Sequence, residues 1–202
     1  MMRRIPVARE GWPFIAVPGA LALGLALAGR RGLALPFGAA ALASLGFFRD
    51  PEREVPAVAN AVLAPADGRV MAVEDVDDAF VGRAVRVVIF LSPLDVHVNR
   101  APIAGLVVET VRTRGRFVAA YQPEAGEVNE RCSIHLQGEA ARVKVVQIVG
   151  VVARRIVCRV AAGDKVAAGD RIGMIRFGSR TDCYVPRTVS PTRARSAVVR
   201  GT

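Results

Sequence analysis

Between Gly11 and Phe48 the chain carries no charge except Arg30 and Arg31. The first run, Gly11 to Gly29, is uncharged over 19 residues, and the second, Gly32 to Phe48, over 17. A helix rises about 1.5 Å per residue, so each run is near the length that crosses a hydrocarbon core of about 30 Å. Two such runs around one charged pair predict an N-terminal hydrophobic helical hairpin, residues 1–49, that anchors the chain in a membrane. A cleaved signal peptide would account for the first run, because Arg3, Arg4 and Arg9 precede it. It leaves the second run unexplained, and no clear small-x-small cleavage site precedes a polar mature sequence. Pro13, Pro18 and Pro36 favour short or kinked helices, so spanning and insertion from one face both remain open.

The net charge of +10 comes almost wholly from Arg, with Lys144 and Lys165 the only lysines. Such a balance suits nucleic acid or anionic lipid. Aromatic residues make up 5%, too few for a base-stacking platform, so no nucleic-acid partner is expected and a membrane surface is. Arg49, Arg53, Arg114 and Arg116 would suit phosphate head groups. Cys132, Cys158 and Cys183 are odd in number and lack metal spacing, so they read as reduced thiols of a cytosol-facing domain, and no metal is expected. Arg3, Arg4, Arg9, Arg49 and Arg53 agree with the cytoplasmic side, while Arg30-Arg31 at the tip argues against full spanning.

Residues 50–61, with Pro51 and Pro56, read as a linker. From Val62 onward the texture is β. Val/Ile-rich runs at Gly68–Val73, Ala84–Phe90, Leu106–Val111, Ala141–Ile148, Val151–Val160 and Arg171–Phe177 alternate partly with period two, and Gly, Asp and Pro punctuate them. Residues 62–202 therefore predict a mainly β, antiparallel barrel or sandwich without long helices. Ala161 to Gly173 has the G-D-x-V-x-x-G-x-x-I-G pattern of biotinyl- and lipoyl-type hairpins, and Ala64 to Val70 resembles the opening strand of such a barrel. The expected core is thus barrel-sandwich-hybrid-like. The same echo supplies a non-enzyme alternative, a membrane-tethered carrier or adaptor. A carrier needs a cofactor-bearing Lys at its hairpin tip, and Lys165 near that tip lacks the flanking Met.

Gly178-Ser179 ends one of the apolar runs, 24 residues from the C-terminus. Gly-Ser is an ordinary turn dipeptide. Held in a strained turn, however, its Ser can attack the preceding carbonyl. The resulting N-to-O acyl shift, β-elimination and hydrolysis would leave a pyruvoyl group on a new N-terminus. A pyruvoyl ketone can form an imine with a substrate amine and accept the electrons of a decarboxylation.

Five motifs occur in one order: Phe47-Phe48-Arg49-Asp50-Pro51, Ala64-Pro65-Ala66-Asp67-Gly68, Phe90 to Pro102 with Ser92-Pro93-Leu94-Asp95-Val96-His97 inside it, Asn129-Glu130-Arg131, and Ile175-Arg176-Phe177-Gly178-Ser179-Arg180. Together they resemble the phosphatidylserine decarboxylase family, and in particular its short, membrane-anchored bacterial and archaeal branch. The resemblance runs from about Phe47 to Pro186. It implies a proenzyme that cuts itself between Gly178 and Ser179 into a long chain, 1–178, and a short chain, 179–202. It implies a covalent pyruvoyl group made from Ser179, phosphatidylserine as substrate, phosphatidylethanolamine and CO2 as products, and a homodimer of processed protomers at the cell membrane, its catalytic domain facing the cytoplasm. Another serine-headed lipid is the alternative substrate.

The resemblance also distributes roles. Ser179 is the self-cleaving nucleophile. His97 is the candidate acid that protonates the substrate carbon after CO2 leaves, since an imidazole exchanges protons near neutral pH. Asp67 helps activate Ser179, although Asp-Gly is also a common turn. Asp95 either orients His97 or caps a turn. Longer family members carry a second His where this chain has Arg100. Two arrangements follow: His97 serves both maturation and turnover, or Asp67 acts as base with Arg100 as an electrostatic helper. His135 lies in no motif and reads as structural.

Overall fold

The computed structural model describes residues 7–56, 61–151, 155–176 and 179–188. The chain divides into two compact units, Met1–Glu52 and Arg53–Thr202. In the first, α1 (Trp12–Leu27) and α2 (Arg31–Phe47) form an antiparallel pair. The helices continue through Pro18 and Pro36. Small residues let them approach: a Cβ on Gly19 would sit 4.0 Å from Ala41, and one on Gly38 3.9 Å from Ala22. Their outer faces leave Leu21, Leu23, Leu27, Leu35 and Leu42 exposed. The segment Arg9–Leu27 is long and apolar enough to cross a membrane, and Arg31–Phe47 is a shorter apolar helix.

The Phe47-Phe48-Arg49 motif closes the foot of this unit. Phe48 is fully buried, stacks on Phe14 at 5.4 Å and meets Phe47 edge-on at 5.0 Å. Its carbonyl accepts from the Ala8 amide at 2.8 Å, and the Arg49 guanidinium caps the end of α2 at the Gly46 carbonyl, 2.7 Å away.

The second unit is mainly antiparallel β, as its Val/Ile-rich texture predicts. Among the described residues ten strands follow in order: β1 Arg69–Asp78, β2 Gly82–Leu91, β3 Val98–Arg100, β4 Gly105–Thr113, β5 Arg131–Gln137, β6 Arg142–Ile148, β7 Ile156–Cys158, β8 Lys165–Val166, β9 Arg171–Ile175 and β10 Ser179–Pro186. Seven form one sheet in the order β1-β2-β10-β6-β5-β4-β8, and three form another, β3-β9-β7. Among the described residues the sheets do not close into a barrel. Ile172 of β9, with Cys158 of β7 beside it, packs on Val107, Ile134, Leu136 and Val145 of the larger sheet. Fully burying each of these side chains contributes about 1.5–3 kcal/mol. The only helix in the described part of this unit is a single turn, α3, Ala125–Val128.

Most expected strands form, with shifted ends. β1 runs on past Val73 to Asp78 because the β1–β2 hairpin continues its ladder to Asp78↔Gly82. The run Val151–Val160 yields only β7, with residues 152–154 outside the described set. Phe177, Gly178, the linker residues 57–60 and the segment 189–202 also lie outside it. Four strands escape the sequence reading: β3, β5, β8 and β10. β5 alternates perfectly, with Cys132, Ile134 and Leu136 buried and their neighbours half-buried. It contains one β-branched apolar residue, so composition hides what its periodicity reveals. β10 is polar yet buried along most of its length, because β2 and β6 pair on both its edges.

Candidate active site

Ser179 opens β10, directly opposite Leu91 at the end of β2. It has no exposed surface, and among the described residues its Oγ has no hydrogen-bond partner. A buried hydroxyl without a partner costs roughly 1–3 kcal/mol. The bond to Gly178 itself reaches beyond the described residues.

The chain beyond Leu91 turns at once. The Asp95 carboxylate accepts from the Ser92 amide at 2.8 Å and from the Ser92 hydroxyl at 2.7 Å, while the Asp95 amide donates to the Ser92 carbonyl at 2.9 Å. This turn aims the chain at β3 and brings in His97, which is fully buried. His97 Nδ1 lies 2.9 Å from the Asp95 carbonyl oxygen. A carbonyl only accepts, so Nδ1 carries the hydrogen, and Nε2 is the atom that gains or loses a proton. Asp95 thus caps the turn with its carboxylate and orients His97 with its backbone. The His97 carbonyl in turn accepts from the Ile175 amide at 3.4 Å, which sets His97 beside the end of β9. Four residues beyond Ile175 the chain reaches Ser179.

Asp67 stands on the opposite flank of β2. Arg69 pairs with Phe90, and Phe90 pairs on its other edge with Arg180, so the Asp67 loop and Ser179 border the same end of that strand. Gly68 makes the approach possible. Its φ is +149°, and a Cβ there would fall 2.3 Å from the Phe90 carbonyl oxygen. The Asp67 carboxylate is hydrogen-bonded to Arg53, both side chains about a quarter exposed. Ser179, His97 and Asp67 therefore gather at one end of the sheets, but Ser179 Oγ bonds to neither of the other two. Arg100 points its guanidinium to the Gly169 carbonyl at 3.0 Å, and Arg53 is the cation on Asp67.

Several supporting residues were not legible as such in the sequence. Arg180 forms a two-pronged pair with Asp182, 2.7 and 2.8 Å, in a nearly dry setting. Its third nitrogen lies 3.3 Å from the Pro123 carbonyl, which ties the 119–128 segment to the strand of Ser179. Burial pushes the Asp182 carboxyl above the ordinary carboxylate range, against the pull of Arg180. The Asn129-Glu130-Arg131 motif is a clamp. Asn129, fully buried, accepts from the Val118 amide at 2.9 Å and donates to the Val118 and Val149 carbonyls, each at 2.8 Å. His135, stacked on Phe80 at 4.6 Å and 3.2 Å from Glu109, lies on the outward side of β5, and burial lowers its pKa. Lys165 pairs in β8 with Leu106 and does not crown a turn. No cluster of three or more metal-ligating side chains occurs among the described residues.

The phosphatidylserine decarboxylase family model matches residues 41–201, a span that holds every candidate above. The chain belongs to the phosphatidylserine decarboxylase family. It is 44% identical over 194 residues to the phosphatidylserine decarboxylase proenzyme of Burkholderia mallei (strain SAVP1), covering 95% of this chain and 88% of that protein. The proenzyme of that name from Aromatoleum aromaticum is 45% identical, with 95% and 89% covered. The one from Burkholderia ambifaria (strain MC40-6) is 44% identical over 182 residues, with 89% and 85% covered.

Proposed function

We propose that this chain is a self-processing, pyruvoyl-dependent decarboxylase that converts phosphatidylserine to phosphatidylethanolamine and CO2 at a membrane. Family membership and the names of its relatives support the decarboxylase. One observation carries the self-processing: Ser179 Oγ is buried, unpaired among the described residues, and held at the start of a strand clasped on both edges.

The Ser179 hydroxyl attacks the Gly178 carbonyl carbon. A C–O bond forms, the peptide C–N bond breaks, and the nitrogen takes the hydroxyl proton. Removal of the Ser179 Cα proton then expels the Gly178 carboxylate and frees the chain 1–178. Water replaces the nitrogen of the remaining dehydroalanine as ammonia, leaving a pyruvoyl end. Asp67 is the carboxylate that assists Ser179, kept near it by Arg53 and the Gly68 approach.

A buried Ser179 position at a strand end fits such a group, which supplies an electrophilic ketone and an electron sink when formed. His97, its Nδ1–H tied to the Asp95 carbonyl, delivers the Nε2 proton to the substrate carbon that loses CO2. β2 and β6 retain the short chain 179–202 after cleavage, because they pair with β10 along both edges. The apolar helices bring this unit to the cytoplasmic face of the cell membrane, where the processed protomers form a homodimer.

Intact mass spectrometry of the purified protein tests the reading. It should report two chains, 1–178 and a short chain whose N-terminal mass matches a pyruvoyl group, and Ser179→Ala should remain a single inactive chain. Full activity in an uncut wild-type protein would overturn it.

A further inference from the structure

We infer that Asn99 is a positioning residue for self-cleavage: its buried carboxamide ties together the three chain segments that carry Asp67, His97 and Ser179. The inference rests on the self-processing reading above and adds a residue to which that reading gives no part.

Asn99 is fully buried. Its Nδ2 donates to Thr181 Oγ1 at 3.1 Å and, more weakly, to the Pro65 carbonyl at 3.4 Å. Its Oδ1 accepts from Gln147 Nε2 at 2.7 Å. The next amide, that of Arg100, also donates to the Pro65 carbonyl, at 2.8 Å. Each anchor lies two residues from a candidate group: Pro65 before Asp67, Asn99 after His97, and Thr181 after Ser179. Alternate residues of a strand share a face, so Asn99 reaches the face of β10 on which Ser179 lies.

The surroundings are shaped for this amide pair. Asn99 faces Gly173 across the β3–β9 ladder, and a Cβ on Gly173 would come within 2.6 Å of Gln147 Nε2. Glycine there leaves the space the Gln147 amide fills. Elsewhere the two sheets meet largely through apolar side chains, which hold them together without fixing direction. Arg112 of β4 adds a hydrogen bond to the Ile156 carbonyl of β7 at 3.0 Å, far from the three candidate groups in sequence. Hydrogen bonds are directional, and a dry setting strengthens them. An apolar side chain at position 99 would keep the sheets packed, but it would release the Pro65 carbonyl and Thr181 Oγ1 from a fixed separation. Attack on a neighbouring carbonyl depends steeply on that kind of placement, since a 1 Å error can cost about a hundredfold.

The test follows cleavage of full-length protein made by pulse-labelled cell-free synthesis in detergent, by denaturing electrophoresis, with thermal melting as the check on folding. Asn99→Leu should lengthen the half-time at least tenfold while still melting cooperatively. Thr181→Val, which deletes one acceptor, should slow cleavage by a smaller factor, and Thr181→Ser, which restores the hydroxyl, should return it to the wild-type rate. The double variant Asn99→Leu/Thr181→Val should be no slower than Asn99→Leu, because both remove one contact. Should Asn99→Leu not fold, the Thr181→Val and Thr181→Ser pair decides. Cleavage of Thr181→Val at the wild-type rate, or equal slowing by Thr181→Ser, overturns the inference while leaving the self-processing reading intact. A wild-type chain that stays whole and active overturns both.

Discussion

Arg53, the first residue of the β unit, donates its guanidinium to the carboxylate of Asp67, 14 positions later in the chain. The pair fastens the start of the unit to the loop that precedes β1. It puts a cation directly on Asp67, while the Arg100 guanidinium donates to the Gly169 carbonyl at 3.0 Å.

Arg53→Gln should therefore slow self-cleavage, and Arg53→Lys should recover part of the rate because a point charge replaces a fork. Asp67→Asn should slow it at least tenfold. Both side chains are about a quarter exposed, so the pair is worth under about 1 kcal/mol of stability once water screening is counted. Melting temperatures should thus shift little while cleavage half-times lengthen. A large drop in melting temperature with an unchanged half-time would reverse the assignment.

His97→Ala should lower phosphatidylserine turnover by roughly a hundredfold to ten-thousandfold, the range expected for loss of a positioned proton donor. The measurement must be made on protein whose short chain carries the pyruvoyl mass, so that lost maturation is not mistaken for lost turnover. Wild-type kinetics in such a preparation would rule His97 out as donor.

Arg180→Met should be the most destabilising single change beside the site. It leaves the Asp182 carboxylate buried without its partner, at a cost of about 3–5 kcal/mol, whereas Arg180→Met/Asp182→Leu should recover most of it. The pH dependence has a definite sign. Burial raises the folded-state pKa of Asp182 above its unfolded value, so the folded state takes up the proton first as pH falls. Stability linked to this group therefore grows as pH drops through the folded pKa toward the ordinary carboxylate value. Removing Arg180 removes the main group pulling that pKa down, so Arg180→Met should lose less melting temperature at pH 5 than at pH 8. An equal loss at both values would show that Asp182 is not the source of the instability.

A protein lacking residues 1–47 should still cleave itself and still decarboxylate short-chain phosphatidylserine in detergent, since every candidate residue lies in the unit that begins at Arg53. Its rate on intact vesicles should fall steeply, because the apolar helices confine enzyme and lipid to one interface. Added salt should weaken any remaining attachment to anionic vesicles as the Arg contacts are screened. Failure to self-cleave while folded by circular dichroism would make the helices part of the catalytic architecture.

Much of this molecule is local physics, and local physics is written in the sequence. Charge-free runs of helix-spanning length become α1 and α2, Val/Ile-rich segments become β1, β2, β4, β6 and β9, and linked short motifs name the family. Ser179, His97 and Asp67 could be singled out because each sits in a motif that resembles the family's. What the chain alone did not determine is which distant groups meet. β10 contains Arg180, Thr181 and Asp182, lies in none of the Val/Ile-rich runs, and becomes a buried inner strand because β2 and β6 satisfy its backbone from both sides. Arg53 reads as one more surface cation until the fold sets it on Asp67, and Asn99 as one letter of a motif until three segments converge on its amide. Hydrogen-bond and charge partners across 14 to 82 positions of chain depend on strand register and sheet packing, and neither is carried by any single stretch of residues.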